Sequence, residues 1–385
     1  MSEQNKDDLQ IKVNDDYDKQ RASLFINSNG PKLKTSKIDW SYLQSTLSLR
    51  RKSMGKVKFL LALTCMVGVL LFLFVIIPRY SKDPEAKDSK SQEHQASVAL
   101  PIDLVVKDSS ARILDKPDLK GRAITSVLLN ESLKLLDKNQ QNGYYHVEIV
   151  TGVQGYIDAR QVSSDVSSLS LENAVKKVVV SGERKNIRSE AYNGNLLAYA
   201  ELGTEFLADY YKNDLVRIKL PNQSYGWLNT RGLTVLSPTE ELKAPAGDEA
   251  PVTYFVSLAM YFKNSTYIPG GLTQSGIDLP GVVYLSGKLN GLVLPRTLEK
   301  LSLVGSEIKF TRNDKGKASF DALKEGDLLF FSADGKPETL DFMGLYLGDE
   351  RILMEVASSH TIDIVSLKDI PTLADRLATV RRLYD

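Results

Sequence analysis

Side-chain nucleophiles need a base within reach, and this chain offers few of either. Its 385 residues include one cysteine, Cys65, and three histidines, His94, His146 and His360. Cys65 lies inside the most apolar run of the sequence, where the reactive thiolate is disfavoured, and a single cysteine excludes an intrachain disulfide. Ser275 or Ser286 working with His360 is an alternative, but nothing in their spacing brings them together. Attention falls instead on Gly276-Ile277-Asp278-Leu279-Pro280-Gly281. A carboxylate stands there just ahead of a proline suited to a first helical turn, so Asp278 reads as a helix cap or as a ligand-binding group. No metal and no cofactor is expected.

The elements around this segment fall into several domains. From Phe59 to Ile77 the chain runs nineteen residues without a charge. As a helix that run is roughly 28 Å long, close to the hydrocarbon thickness of a bilayer. It starts too far from the N-terminus for a usual signal peptide and lacks a small-residue cleavage site, so a retained transmembrane helix over 59–77 is expected. Arg50, Arg51, Lys52, Lys56 and Lys58 flank it on one side and Arg79, Lys82 and Lys87 on the other, which favours a cytoplasmic N-terminus. Residues 1–58 read as a mostly disordered tail with a juxtamembrane helix near 37–49, where Trp40, Leu43 and Leu47 form a narrow apolar stripe. That stripe suits the lipid surface or a cytoplasmic partner. Residues 78–97 read as a solvated stalk. A formal net charge of +1 gives no ground for nucleic acid as a partner.

Two all-β units follow, over 98–165 and 175–238. Tyr144 to Ile149 alternates with the period of a half-buried strand. Gly155-Tyr156 in the first unit is echoed by Gly226-Trp227 in the second, an offset of 71, and Arg112 by Arg188, an offset of 76. The similar offsets imply a tandem repeat. Short strands with a Gly-aromatic step before the last one fit small, partly open barrels. With Asn186-Ile187-Arg188-Ser189 near its start and Gly226-Trp227 near its end, the second unit resembles bacterial Src-homology-3-like domains, and the first resembles them more loosely. Tyr210, Tyr211 and Trp227 are candidates for an exposed aromatic groove, although core packing is the commoner use of such side chains.

Residues 250–385 form a further α+β unit. In order it carries Tyr267-Ile268-Pro269-Gly270-Gly271, Asp278-Leu279-Pro280-Gly281, Leu294-Pro295-Arg296, Gly326-Asp327-Leu328-Leu329-Phe330-Phe331, and Phe342-Met343-Gly344-Leu345-Tyr346-Leu347-Gly348. This series resembles the NlpC-type cell-wall peptidases, papain-like enzymes that cut peptidoglycan stem peptides with a cysteine, a histidine and a third polar group. The resemblance puts the nucleophile's place on Leu279, the base's on Phe342 and the third group's on or near Val356, all apolar. Tyr267 and Asp278 match motif positions and are ligand-binding candidates. Arg296 and Asp327 match as well, with a surface ion pair as their bland role.

The expectation is therefore a multidomain chain: one transmembrane helix, two small all-β barrels and a papain-like domain. It reads as a pseudoenzyme, not an enzyme, sited in the bacterial inner membrane with its C-terminal domains outside the cytoplasm. It would bind peptidoglycan or an envelope protein as tether, scaffold or hydrolase regulator. An active cell-wall hydrolase with an unorthodox nucleophile, or a purely structural docking protein, is the alternative.

Overall fold

Seven short strands build the first β unit: β1 (Leu104–Val106), β2 (Ser110–Leu114), β3 (Ala123–Leu128), β4 (Ser132–Leu135), β5 (Tyr144–Ile149), β6 (Gln154–Asp158) and β7 (Val162–Ser163). The computed structural model describes residues 103–247 and 250–384, all within one compact unit. The expected transmembrane span, the stalk, the Trp40 helix, Cys65 and His94 lie outside them. Among the described residues no helix is long and apolar enough to cross a membrane.

The second β unit contains β8 (Lys176–Val180), β9 (Lys185–Arg188), β10 (Leu196–Ala200), β11 (Glu205–Lys212), β12 (Leu215–Lys219), β13 (Tyr225–Asn229) and β14 (Leu233–Leu236). The first sheet has the strand order β3-β2-β6-β5-β4-β1-β7 and the second β10-β9-β13-β12-β11-β8-β14. Adding seven to each label of the first order gives the second, so the two units share one topology. The equivalence differs in detail from the sequence alignment. Gly155 lies against Ile113 and Gly226 against Ile187, which sets the offset in β2 and β9 at 74, not the 76 implied by the two arginines.

Closed barrels are not formed among the described residues, because no ladder joins β3 to β7 or β10 to β14. The outer edges have other partners. Ser126 on β3 donates its hydroxyl to the Gly270 carbonyl at 2.7 Å and accepts at its own carbonyl from Arg296, while the Tyr199 amide on β10 reaches the Ser109 hydroxyl at 3.3 Å. An edge strand covered in this way has no need of closure to satisfy its polar groups.

The C-terminal unit opens with helix α1 (Ala250–Met260). A two-stranded ladder, β15 (Leu272–Thr273) with β16 (Gly276–Ile277), leads into helix α2 (Leu279–Leu289) and the short α3 (Leu298–Leu301). A six-stranded sheet comprises β17 (Ser306–Glu307), β18 (Leu328–Ser332), β19 (Leu340–Tyr346), β20 (Arg351–Val356), β21 (Thr361–Ser366) and β22 (Leu377–Arg382), with α4 (Leu373–Arg376) before the last strand. Its order is β17-β22-β18-β19-β20-β21. Helix α2 is apolar nearly all round and almost wholly buried, as expected of a helix enclosed by its neighbours. Val282, Val283 and Leu285 share one core with Phe255, Phe330 and Leu345, and that core extends to Leu128 of the first sheet and Val179 and Leu202 of the second unit.

Asp327 is fully buried and paired with Arg382 by two hydrogen bonds of 2.8 Å, one to each carboxylate oxygen. It anchors the start of β18 and is not a surface ion pair.

The glycines of the two repeats are sterically required. A methyl group on Gly226 would sit 2.3 Å from Cγ2 of Ile187. Gly226→Ala is therefore expected to destabilise the protein by ~1–3 kcal/mol through overpacking, read as a fall in thermal midpoint.

Candidate active site

The N-terminus of α2 opens on a cleft of about 270 Å³. Tyr267, Asp278 and Leu279 line it, with Phe342 and Met343 of β19, Glu355 of β20, and, from the first β unit, Arg122 and the first two residues of β3, Ala123 and Ile124. Asp278 caps α2: one carboxylate oxygen accepts from the Gly281 amide at 2.8 Å and the other from the Gly270 amide at 2.7 Å. The second bond ties the cap to the turn that carries Tyr267. Gly270 adopts φ +70°, which suits glycine, and a side chain there would run into Ala123 and Thr125 of β3.

Leu279 is buried and belongs to the core. Phe342 stacks on Phe331 at 4.8 Å, with the Arg376 guanidinium 4.8 Å from its ring centroid. The places that the resemblance gives to a nucleophile and a base are thus held by packed hydrocarbon.

The third place, on or near Val356, falls at the end of β20, where alternation brings Glu355 and not Val356 to the cleft wall. Glu355 lies next to Tyr267, whose hydroxyl is pushed above its ordinary range first by burial and then by the charges of Glu355 and Asp278. Burial raises Asp278 from 3.8 to about 6, against the lowering effect of its two amide hydrogen bonds. A carboxyl group raised to about 6 that shares Tyr267 and a cleft with Glu355 is suited to proton transfer.

Arg296 holds β3 in place. Only 2 % of its surface is exposed, so it is no surface ion pair. Its guanidinium meets Glu131 at 2.5 Å, the Ser126 carbonyl at 2.8 Å and the Tyr284 hydroxyl at 2.7 Å, and it stacks over the Tyr284 ring. Glu131 and Ser126 belong to the first β unit and Tyr284 to α2, so one side chain joins the two.

The other sequence candidates lie elsewhere. Ser286 is fully buried on α2 with no hydrogen-bond partner, and neither Ser275 nor His360 lines the cleft. The His360 carbonyl accepts from the Tyr267 amide, which is a backbone role. His146 stacks on Tyr156 in the first sheet. Tyr210, Tyr211 and Trp227 are on the second sheet, outside the hydrophobic core that core packing would require. Among the described residues no group of three or more His, Cys, Asp or Glu side chains is placed to hold a metal ion.

Two stability measurements test this geometry. Arg296→Met leaves the partly buried Glu131 without its cation and is expected to cost ~2–4 kcal/mol in denaturant unfolding, with Arg296→Met/Glu131→Gln costing less than the sum of the single changes. For Asp278, the folded state holds its proton more tightly than the unfolded chain does. Its contribution therefore falls as pH rises from 3.8 to about 6. Asp278→Asn removes this dependence, so the stability of wild type relative to the variant should drop across that window by up to ~3 kcal/mol.

Comparison with known proteins identifies the cleft-bearing unit. Residues 264–382 match the NlpC/P60 family. The gamma-D-glutamyl-L-lysine dipeptidyl-peptidase of Bacillus cereus is 25 % identical over 166 residues, 43 % of this chain and 45 % of that protein. The protein of the same name from Bacillus subtilis is 26 % identical over 148 residues, 38 % of this chain and 44 % of that protein. The chain thus spans less than half the length of these relatives. A crystal structure of an NlpC/P60 family protein from Bacillus cereus superposes with a TM-score of 0.61 at 17 % identity, covering 73 % of this chain and 99 % of that one, a likeness of fold. Relatives named as peptidases point to an enzyme and overturn the pseudoenzyme expectation, which had rested on apolar side chains at 279, 342 and 356. The family match at residues 264–382 takes in the helix-capped cleft.

Proposed function

We propose that this chain hydrolyses peptide bonds of bacterial cell-wall peptidoglycan in the cleft at the start of α2, with water in place of a side-chain nucleophile. The observation that carries the reading is the meeting of Glu355, Tyr267 and Asp278 in one cleft of a domain whose relatives are named gamma-D-glutamyl-L-lysine dipeptidyl-peptidase. Leu279 and Phe342 supply no proton-transferring group, which leaves the two carboxylates. Glu355 takes a proton from water as the water oxygen attacks the scissile carbonyl carbon. The carbon–nitrogen bond then breaks, and protonated Asp278 gives its proton to the departing amine. Tyr267, whose raised pKa keeps its hydroxyl protonated, is a donor for the developing oxyanion.

In the same reading, the two β units are open relatives of Src-homology-3-like barrels that hold the cleft domain at the wall. The run 59–77 anchors the chain in the inner membrane, with residues 1–58 in the cytoplasm.

Incubation of the purified protein with muropeptides, followed by mass analysis, tests the reaction. New fragments are expected. Glu355→Gln should slow their formation by about 10²-fold or more, while Ser275→Ala and His360→Ala leave the rate unchanged. Absence of fragments overturns the reading, as does full activity in Glu355→Gln.

A further inference from the structure

The tandem repeat supplies an internal comparison that singles out a second site. In the first sheet Leu114 pairs with Tyr156, and in the second Arg188 pairs with Trp227. With Ile113 and Ile187 both facing the glycine of the neighbouring strand, this register makes Ala111 equivalent to Lys185 and Asp158 equivalent to Asn229. Each sheet carries a groove at these strand ends, of about 500 Å³ in the first and about 290 Å³ in the second.

The two grooves differ in charge. In the first, Asp108 and Asp158 accompany Arg112 and Arg160, and Asp158 takes a two-pronged hydrogen bond from Arg160. In the second, Arg184, Lys185 and Arg188 line the wall with Trp227, and no carboxylate does. Arg184 has Glu201 at 3.9 Å. Lys185, by contrast, donates to the Asn229 side-chain oxygen and the Arg231 carbonyl, both at 2.6 Å, and Arg188 to the Gly194 carbonyl at 2.9 Å. These acceptors are neutral. Burial and the nearby Arg231 charge lower the pKa of Lys185, with Glu183 opposing them. A bound anion would relieve that cost.

The face beyond the groove is aromatic. Tyr210 meets Trp227 edge-on at 5.4 Å, the Arg217 guanidinium, itself paired with Asp209 at 3.0 Å, sits 4.9 Å from the Tyr225 ring centroid, and Tyr225 is 45 % exposed. A bulge in β11 between Ala208 and Tyr210 ends the inward alternation and leaves Tyr210 and Tyr211 exposed, 38 % and 44 % respectively. Flat rings beside Lys185 and Arg188, whose hydrogen-bond acceptors are neutral, and the Asn186 and Asn229 amides match a pyranose ring that carries an oxyanion. The ring's C–H face would cover the aromatics, its hydroxyls would meet the amides, and the anion would meet Lys185 and Arg188.

We propose that the second β unit carries a binding site for an anionic sugar of a cell-wall glycan, centred on Lys185, Arg188 and Trp227. The choice of a wall glycan rests on the cell-wall reading above, but the anion preference does not depend on cleavage at the cleft. Trp40 and Trp227 are the only tryptophans, so Trp40→Phe in the full chain makes Trp227 the sole indole reporter. The probes are N-acetylmuramic acid, for a carboxylate source, and N-acetylglucosamine 6-phosphate, for a phosphate source, with N-acetylglucosamine as the neutral comparison. At least one acidic sugar is expected to shift Trp227 fluorescence at about tenfold lower concentration than the neutral sugar. Which one does so identifies the source. Asn229→Asp, which installs the carboxylate of the first repeat, should abolish the difference, as should Lys185→Gln/Arg188→Gln. Neither change should alter muropeptide cleavage, so failure here is distinct from failure at the cleft. Equal response to acidic and neutral sugars overturns the proposal, and so does a preference that survives Asn229→Asp.

Discussion

A buried guanidinium governs the arrangement of this molecule. Taking a charge out of water costs several kcal/mol, and it persists in an interior only when an opposite charge and good hydrogen-bond geometry offset that cost. Arg296 meets both conditions, but only by drawing Glu131 and Ser126 from the first β unit onto Tyr284 of α2. The requirement is directional, since a planar fork accepts partners only along its own N–H vectors. It therefore fixes orientation as well as contact, which apolar packing of Leu128 and Leu202 against α2 would do less sharply. Lys288 pairing with Glu205 at 2.8 Å, and Lys300 reaching the Gly152 carbonyl, tie further points of the two β units to the C-terminal one.

The cleft inherits its shape from that restraint. Arg122 to Ile124 line it because β3 is held there, and the Ser126 hydroxyl bond to Gly270 ties the same strand to the turn that Asp278 also holds. One carboxylate thus caps a helix, fixes a turn and borders the cleft. Burial at this junction raises its pKa to about 6. Architecture and chemistry meet in Asp278 through desolvation: the packing that stabilises the arrangement is what makes the group titrate near neutrality.

The repeat shows how two units of one topology can take different tasks. The inward side is constrained in both, with glycine against isoleucine across β2 and β6 and again across β9 and β13. The groove at the strand ends has no such constraint, so Asp158 in one copy and Asn229 in the other change charge without disturbing the sheet.

Much of this was legible in the sequence, because local pattern carries it. Period-two alternation marked β5, a carboxylate ahead of proline marked the start of α2, and the ordered motifs from Tyr267 to Gly348 marked a domain of cell-wall peptidase type. What the sequence could not show was contact between distant segments. Arg296 read as a surface residue because nothing near it in the chain announces Glu131, 165 positions earlier. Glu355 was passed over for Val356 because strand periodicity leaves the facing undecided until β20 is placed between β19 and β21, and a slip of one residue exchanges hydrocarbon for carboxylate. Tyr210, Tyr211 and Trp227 read as candidates for an exposed groove, but core packing was the commoner alternative until the β11 bulge left Tyr210 and Tyr211 facing outward. The sequence by itself determined which segments become helix and strand, since those preferences are settled within a few residues. Only the tertiary structure decided which side chains share a cleft, because burial and charge pairing depend on neighbours that the chain brings together last.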